Sequence, residues 1–230
     1  MSLKSLGAGL AAGFISSRVY AGQQKAVPLQ QQLVAYLIKS AEQTDFGKRH
    51  NFSKVKNYGD FKKEVPIQDY EDLRDDIELI SDGKQNVLWP GLPLYFCKSS
   101  GTTSGTKYIP VSRAQIGDMI TAARNATMLY VNETNNAAIF DKKMIFLQGS
   151  PELDQYGKIA AGRLSGIVYH HVPSYAQGNR MPSYAVNCIE DWEEKVEAIA
   201  KETLKQRMSL ISGIPPWCVM YFEKLLELSG

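Results

Sequence analysis

The stretch PLYFCKSSGTTSGTKYIPV, residues 93–111, does most to limit what this chain can become. Two runs with strand character, PLYFCK and KYIPV, enclose a loop in which six serines and threonines surround Gly101 and Gly105 and lead to Lys107. Aromatic and β-branched residues favour extended backbone, and the residue before Pro110 is held out of the α region. The loop therefore joins strand to strand, not strand to helix. In α/β proteins the loop at the carboxyl end of a strand is where ligands collect. Glycine lets a backbone come close to an anion, and Lys107 could reach a phosphate cradled by the loop. A Ser/Thr/Gly cluster is more often a plain surface loop; the preceding strand and the lysine weigh against that here.

The familiar phosphate motifs do not fit. In G-x-x-x-x-G-K-[ST] the glycines stand one residue further apart than Gly101 and Gly105, and a hydroxyl residue follows the lysine where this chain has Tyr108. G-x-G-x-x-G is absent. Both motifs open into a helix whose N-terminus helps hold the anion, and Pro110 argues against that here. A phosphate would instead be held by a nest of backbone N–H groups around Gly101 and Gly105, by the hydroxyls of Ser99, Ser100, Thr102, Thr103 and Ser104, and by Lys107.

The rest of the pattern is α/β. Leu29, Leu33, Tyr36 and Leu37 recur at helical spacing after Pro28. YGDFKKEVPIQDYEDLRDDIELISDG reads as short helices broken at Pro66, its acidic run from Asp69 to Glu78 as a solvated helix face. Ser112 and Gln115 form a capping box for a helix carrying Ile116, Ile120, Ala123 and Thr127 on one side. KKMIFLQG reads as a buried strand and GIVYHHVP as extended. Asn187 and Glu190 open a helix with Trp192, Val196, Ile199 and Leu204 on one stripe, followed by the strand MSLIS, a turn at Gly213 and a last helix from PPW. No linker divides the chain, and strands interleaved with helices argue for an α/β architecture.

Charge and cysteine content exclude several classes. Twenty-six basic against 24 acidic residues give a net charge of +2 with no long basic run, so nothing points to nucleic acid. The three cysteines Cys97, Cys188 and Cys218 are widely spaced, and the histidines offer no metal-ligand spacing, so free thiols and a cytoplasmic setting are expected. No metal-ligating residue is assigned. The apolar run Leu6–Ile15 contains three glycines and is too short to span a bilayer; it reads as an amphipathic segment packed on the domain. Gly149 and Ser150 end the strand in FLQGSPEL and are candidates for a substrate border, with a plain strand-exit turn as the alternative. His170 and His171 read as structural, Arg124 as an exposed surface arginine, and LISGIPPW as a strand-turn-helix joint.

SSGTTSGTK resembles the phosphate-binding signature of adenylate-forming enzymes, the superfamily of acyl-CoA synthetases, adenylation domains and luciferases. The ordered set PLQQQLVAYLIKSAEQTDFGKRHNF, FKKEVPIQDYEDLRDDIELISDG, NVLWPG, KSSGTTSGTKYIPVS and LISGIPPW is similar to bacterial members of the auxin-responsive promoter family of acyl-acid amido synthetases. The resemblance implies the front part of a large N-terminal domain, residues 1–230, with mixed sheets flanked by helices. It implies ATP and Mg²⁺ as cofactors, and a small carboxylic acid and an amine, typically an amino acid, as substrates. ATP would activate the acid as an acyl-adenylate, and the amine would then form the amide. Lys107 takes the catalytic role and Ser99–Gly105 the phosphates. The family's later nucleotide motifs and its small C-terminal domain have no counterpart in these residues, so the missing C-terminal part of the same enzyme is expected as the partner and the isolated chain is expected to be inactive. An acyl-CoA-type ligase and a non-catalytic nucleotide-binding module are the rival expectations; no membrane is involved in any of them.

Overall fold

The computed structural model describes residues 2–99 and 105–230. Along the chain, α1 (Leu3–Gln23), α2 (Ala26–Ala41), α3 (Asp45–Arg49), α4 (Tyr58–Glu64) and α5 (Arg74–Ser81) precede strands β1 (Tyr95–Lys98) and β2 (Tyr108–Val111). Helix α6 (Arg113–Thr134), strands β3 (Lys143–Phe146), β4 (Asp154–Tyr156) and β5 (Ile159–Gly162), and helix α7 (Leu164–Tyr169) follow. Then come α8 (Ser174–Gln177), β6 (Arg180–Met181), α9 (Tyr184–Asn187), α10 (Trp192–Thr203), β7 (Met208–Ser212) and α11 (Pro215–Ser229).

These elements form two compact units, one of Arg18–Gly117 with Leu153–Gly162, the other of Met1–Ser17, Asp118–Glu152 and Arg163–Gly230. The boundaries fall within α1 and α6 and at the two ends of 153–162, so no linker marks them in the sequence.

The first unit is built on a mixed sheet in the order β2-β1-β5-β4. β1 runs antiparallel to β2 and parallel to β5, and β4 and β5 form an antiparallel hairpin. Pro110 is tolerated because β2 is an edge strand, where a missing N–H costs no ladder bond. Phe96 of β1 is fully buried and packs with Ile77 and Ile80 of α5, Val87, Ile159 and Ala161. Around it Tyr108 and Tyr156 stack at 3.9 Å, each edge-on to Phe96.

A second cluster in this unit gathers Ile38 and Ala41 of α2 with Phe52 and the flanking Phe46 and Phe61. Here the structure departs from the sequence pattern. Leu29, Leu33, Tyr36 and Leu37, which recur at helical spacing, do lie on α2 but are exposed. The acidic run departs too, because Asp76 is buried and ion-paired with Arg49. That carboxylate holds the Arg49 guanidinium above its usual pKa, against the opposing effect of burial.

The second unit carries the parallel sheet β6-β3-β7. Ile145 and Leu147 pack against Val196, Ile199 and Ala200 of α10 and Tyr221 of α11. Trp192 stacks on Trp217 at 4.0 Å, and Thr203 Oγ1 hydrogen-bonds the Tyr221 hydroxyl at 2.8 Å. The expected α10 stripe is mostly inside, but the cap is Asp191, which accepts from the Glu194 N–H at 2.9 Å, and not Asn187. Asn187 ends α9 and is buried. Leu204 lies just past the helix and is exposed.

GIVYHHVP is not extended; its first four residues lie in α7 and a turn follows. A Cβ on Gly166 would fall 2.6 Å from the Ser150 carbonyl oxygen, so the glycine lets this turn of helix sit directly against the exit of β3 and bury Ile167. That contact overrides the extended preference of Ile167 and Val168. The N-terminal segment is helical, but α1 buries Ser5, Ala12 and Ser16 and leaves Leu3, Leu6, Leu10 and Phe14 exposed. Ser5 donates to Asp141 at 3.1 Å, and Ala12 packs with Val131, Ala137 and Ile139. No described helix is long and apolar enough to cross a membrane.

Candidate functional site

The hairpin of β1 and β2 places the loop. The last paired residues are Lys98 and Tyr108, and beyond them the Ser99 N–H donates to the Lys107 carbonyl at 2.9 Å. Ser99 and Lys107 thus close the mouth. Gly105 has φ +82°, a left-handed conformation that favours glycine and bends the chain back towards β2. The candidates Ser100, Gly101, Thr102, Thr103 and Ser104 lie outside the described residues. Because β1 and β5 are parallel, the loop leaves the sheet at the carboxyl ends of both strands.

Two lysines stand at this mouth, and the structure separates them. Lys98 ion-pairs with Asp154 of β4. Lys107 has no carboxylate partner among the described residues; its Nζ lies 5.4 Å from the centre of the Tyr70 ring. The Tyr70 hydroxyl accepts the backbone N–H of Tyr108 at 2.9 Å. Arg74 also faces the Tyr70 ring, at 5.9 Å, and is ion-paired with Glu71 at 2.6 Å. Burial, reinforced by Glu78, pushes the Tyr156 phenol upward in pKa, so it is a neutral wall of this end of the sheet. Tyr70 gave no signal in the sequence: it is one tyrosine in an acidic loop, and only the fold brings it under Lys107.

Gly149 and Ser150 follow β3 in the other unit. A Cβ on Gly149 would fall 2.7 Å from Cδ of Arg163. Ser150 Oγ accepts the Glu152 N–H at 3.2 Å, and His170 Nε2 donates to the Pro151 carbonyl at 2.7 Å. These are the contacts of a strand-exit joint, and they make His170 the structural histidine expected from the sequence. Beside them the amide nitrogen of Gln148 is buried with no hydrogen-bond partner among the described residues, a polar group at the carboxyl end of a parallel strand. Arg180 lies between the rings of Phe146 and Tyr169 at 5.0 and 4.5 Å, and burial lowers its pKa. Arg124 is exposed and donates to Asn125. All three cysteines are free thiols. Among the described residues no group of three His, Cys, Asp or Glu side chains comes together to hold a metal ion.

Comparison with known proteins agrees with this framework. The model of the GH3 family N-terminal domain matches residues 16–179, which take in the hairpin, its loop and β3. Indole-3-acetic acid-amido synthetase GH3.4 of Arabidopsis thaliana is 30% identical over 80 residues, 34% of this chain and 13% of that protein. Indole-3-acetic acid-amido synthetase GH3.2 of the same plant is 30% identical over 80 residues, again 34% of this chain and 15% of that protein. Among solved structures, GH3.15 acyl acid amido synthetase superposes with a TM-score of 0.75 at 15% identity, over 92% of this chain and 38% of that chain. AtGH3.15 acyl acid amido synthetase in complex with 2,4-DB gives 0.70 at 16% identity, over 87% of this chain and 36% of that one. The chain thus spans little more than a third of the length of these structures, and shares with their front part the mixed sheets flanked by helices. With the family model covering most of its residues, the chain belongs to the GH3 family and carries the family's N-terminal domain.

Proposed function

We propose that this chain supplies the phosphate-gripping part of an enzyme that activates a carboxylic acid with ATP and passes the acyl group to an amine, an amino acid in the family's manner. A carboxylate oxygen would attack the α-phosphorus of ATP, and the bond to the bridging oxygen of pyrophosphate would break. The amine nitrogen would then attack the acyl carbonyl, forming C–N, expelling AMP and losing a proton. The domain's share of this chemistry is to hold charge. The β- and γ-phosphates would lie in the Ser99–Gly105 loop, with Lys107 meeting the negative charge that grows as pyrophosphate departs. Such preorganised groups act mainly on the transition state.

One observation carries the reading. Lys98 is ion-paired with Asp154, whereas Lys107, beside the hairpin turn, meets no carboxylate among the described residues and lies over the Tyr70 ring. Within their own unit, Gly149 and Ser150 are proposed as a border for the acyl acid; the Gln148 amide nitrogen beside them, buried with no hydrogen-bond partner among the described residues, supports this. Mg²⁺ would accompany ATP; the described residues form no metal-binding group, so none is assigned to it and no step is routed through it.

Acid-dependent ATP–pyrophosphate exchange in the complete protein bearing this domain tests the assignment. Lys107→Ala should lower exchange by about 10²-fold or more, the usual cost of losing one preorganised charge-stabilising group. Lys98→Ala should cost far less. Exchange unchanged in Lys107→Ala would remove the lysine from the reaction.

A further inference from the structure

The cations around the loop mouth divide by what holds them. Lys98 and Arg74 are matched by the carboxylates of Asp154 and Glu71. Lys107 rests on an aromatic face, with Nζ 5.4 Å from the ring centre of Tyr70, inside the range at which a ring quadrupole attracts an ammonium. We propose that Tyr70 is a positioning residue for Lys107, and through it for the phosphates of the nucleotide. This rests on the reading of Lys107 as the phosphate-gripping cation.

The two kinds of support differ in what they leave behind. A carboxylate fixes a lysine and cancels its charge, so a phosphate arriving there meets a neutral pair. A tyrosine ring fixes the lysine and leaves the full positive charge available. Tyr70 also holds the chain that carries Lys107. Its hydroxyl accepts the Tyr108 N–H at 2.9 Å, one residue after the lysine, so ring and hydroxyl grip side chain and backbone of the same hairpin arm. Tyr70 is itself anchored, because it packs against the cluster around Phe96 and Ile77. A lysine seated this way loses less side-chain freedom when it binds phosphate than one waving in solvent, and that saving appears as affinity.

The 230-residue chain titrated with inorganic tripolyphosphate, followed by calorimetry, tests this. Tyr70→Leu should weaken binding about fivefold, the scale of one cation–π contact. Tyr70→Phe keeps the ring but loses the hydroxyl that accepts the Tyr108 N–H, so it should weaken binding less than Tyr70→Leu does. In a Lys107→Ala background, Tyr70→Leu should cause no further loss. Stepwise fluorination of the ring introduced in Tyr70→Phe should weaken binding in step with the fading quadrupole, at constant shape. The fluorination series also decides the matter if Tyr70→Leu fails to fold. Equal losses from Tyr70→Leu with and without Lys107 would make Tyr70 merely structural and overturn the proposal. Affinity that falls in Lys107→Ala but ignores fluorination would overturn the role of Tyr70 alone. No binding by wild type, or wild-type binding by Lys107→Ala, would remove the phosphate reading beneath it, and Tyr70 with it.

Discussion

Among single residues, the contrast between Lys98 and Lys107 has a buried counterpart in Lys195. This lysine is buried on α10, and its ammonium donates to the Asn187 carbonyl at 2.5 Å. Burial pulls its pKa below the usual lysine value; Cys188 partly offsets this and Arg163 adds to it. Its folded pKa is therefore lower than its unfolded one. Between those two values the unfolded chain binds more protons, so stability rises as pH climbs through that window. Lys195→Met has no such dependence. Urea unfolding of both proteins, taken from about pH 7 up towards the unfolded lysine pKa of about 10.4, should show wild type gaining stability on the variant as pH rises. A difference that stays flat with pH would mean the ammonium is no worse off folded than unfolded.

Among elements, local signals and packing disagree in instructive places. The helix over Trp192–Thr203 was expected from its stripe, yet its cap is set one turn later than Asn187 and Glu190 suggest. Asp191 wins because its side chain meets the Glu194 N–H, while Asn187 is taken into the interior at the end of α9. Asp191→Ala should cost about 1 kcal/mol in urea unfolding, the ordinary value of an N-cap. A loss near zero would show the cap to be dispensable. α7 forms where the sequence looked extended, because a helix turn at Gly166 fills the space against Ser150 and Pro151 better than a strand would. α1 shows the same precedence of fit: its small residues allow close approach, so Ser5, Ala12 and Ser16 go inside and the leucines stay out.

For the molecule as a whole, those exposed faces have a consequence. Leu3, Leu6, Leu10 and Phe14 of α1, Leu33 and Tyr36 of α2, and Val219, Phe222 and Leu226 of α11 are large apolar side chains in contact with solvent. Exposed apolar side chains lined along a helix drive association. The 230-residue chain should therefore self-associate at micromolar concentration in sedimentation experiments. Leu6→Glu with Leu10→Glu should reduce association without lowering the thermal midpoint, since both side chains are already largely exposed. A wild-type chain that sediments as a monomer across that range would refute this.

The sequence by itself determined the parts governed by short range. Period and chemistry were enough to place strand, loop and strand around residues 93–111, the capping hydroxyl of Ser112, the helix after Asp191 to within a turn, the free thiols and the family. The hairpin that carries the hydroxyl-rich stretch was legible because its two strands lie within a few residues of one another. Tertiary structure decided everything that depends on which face meets a partner. It put Leu29, Leu33, Tyr36 and Leu37 outside, took Asp76 inside to meet Arg49, and made a helix of Leu164–Tyr169. It alone sorted the two lysines, by bringing Asp154 to one and Tyr70 to the other across long stretches of chain. Periodicity tells which residues share a face of an element. It does not tell which face finds the better fit, because that depends on the shape and charge of residues distant in sequence that only the folded chain brings near.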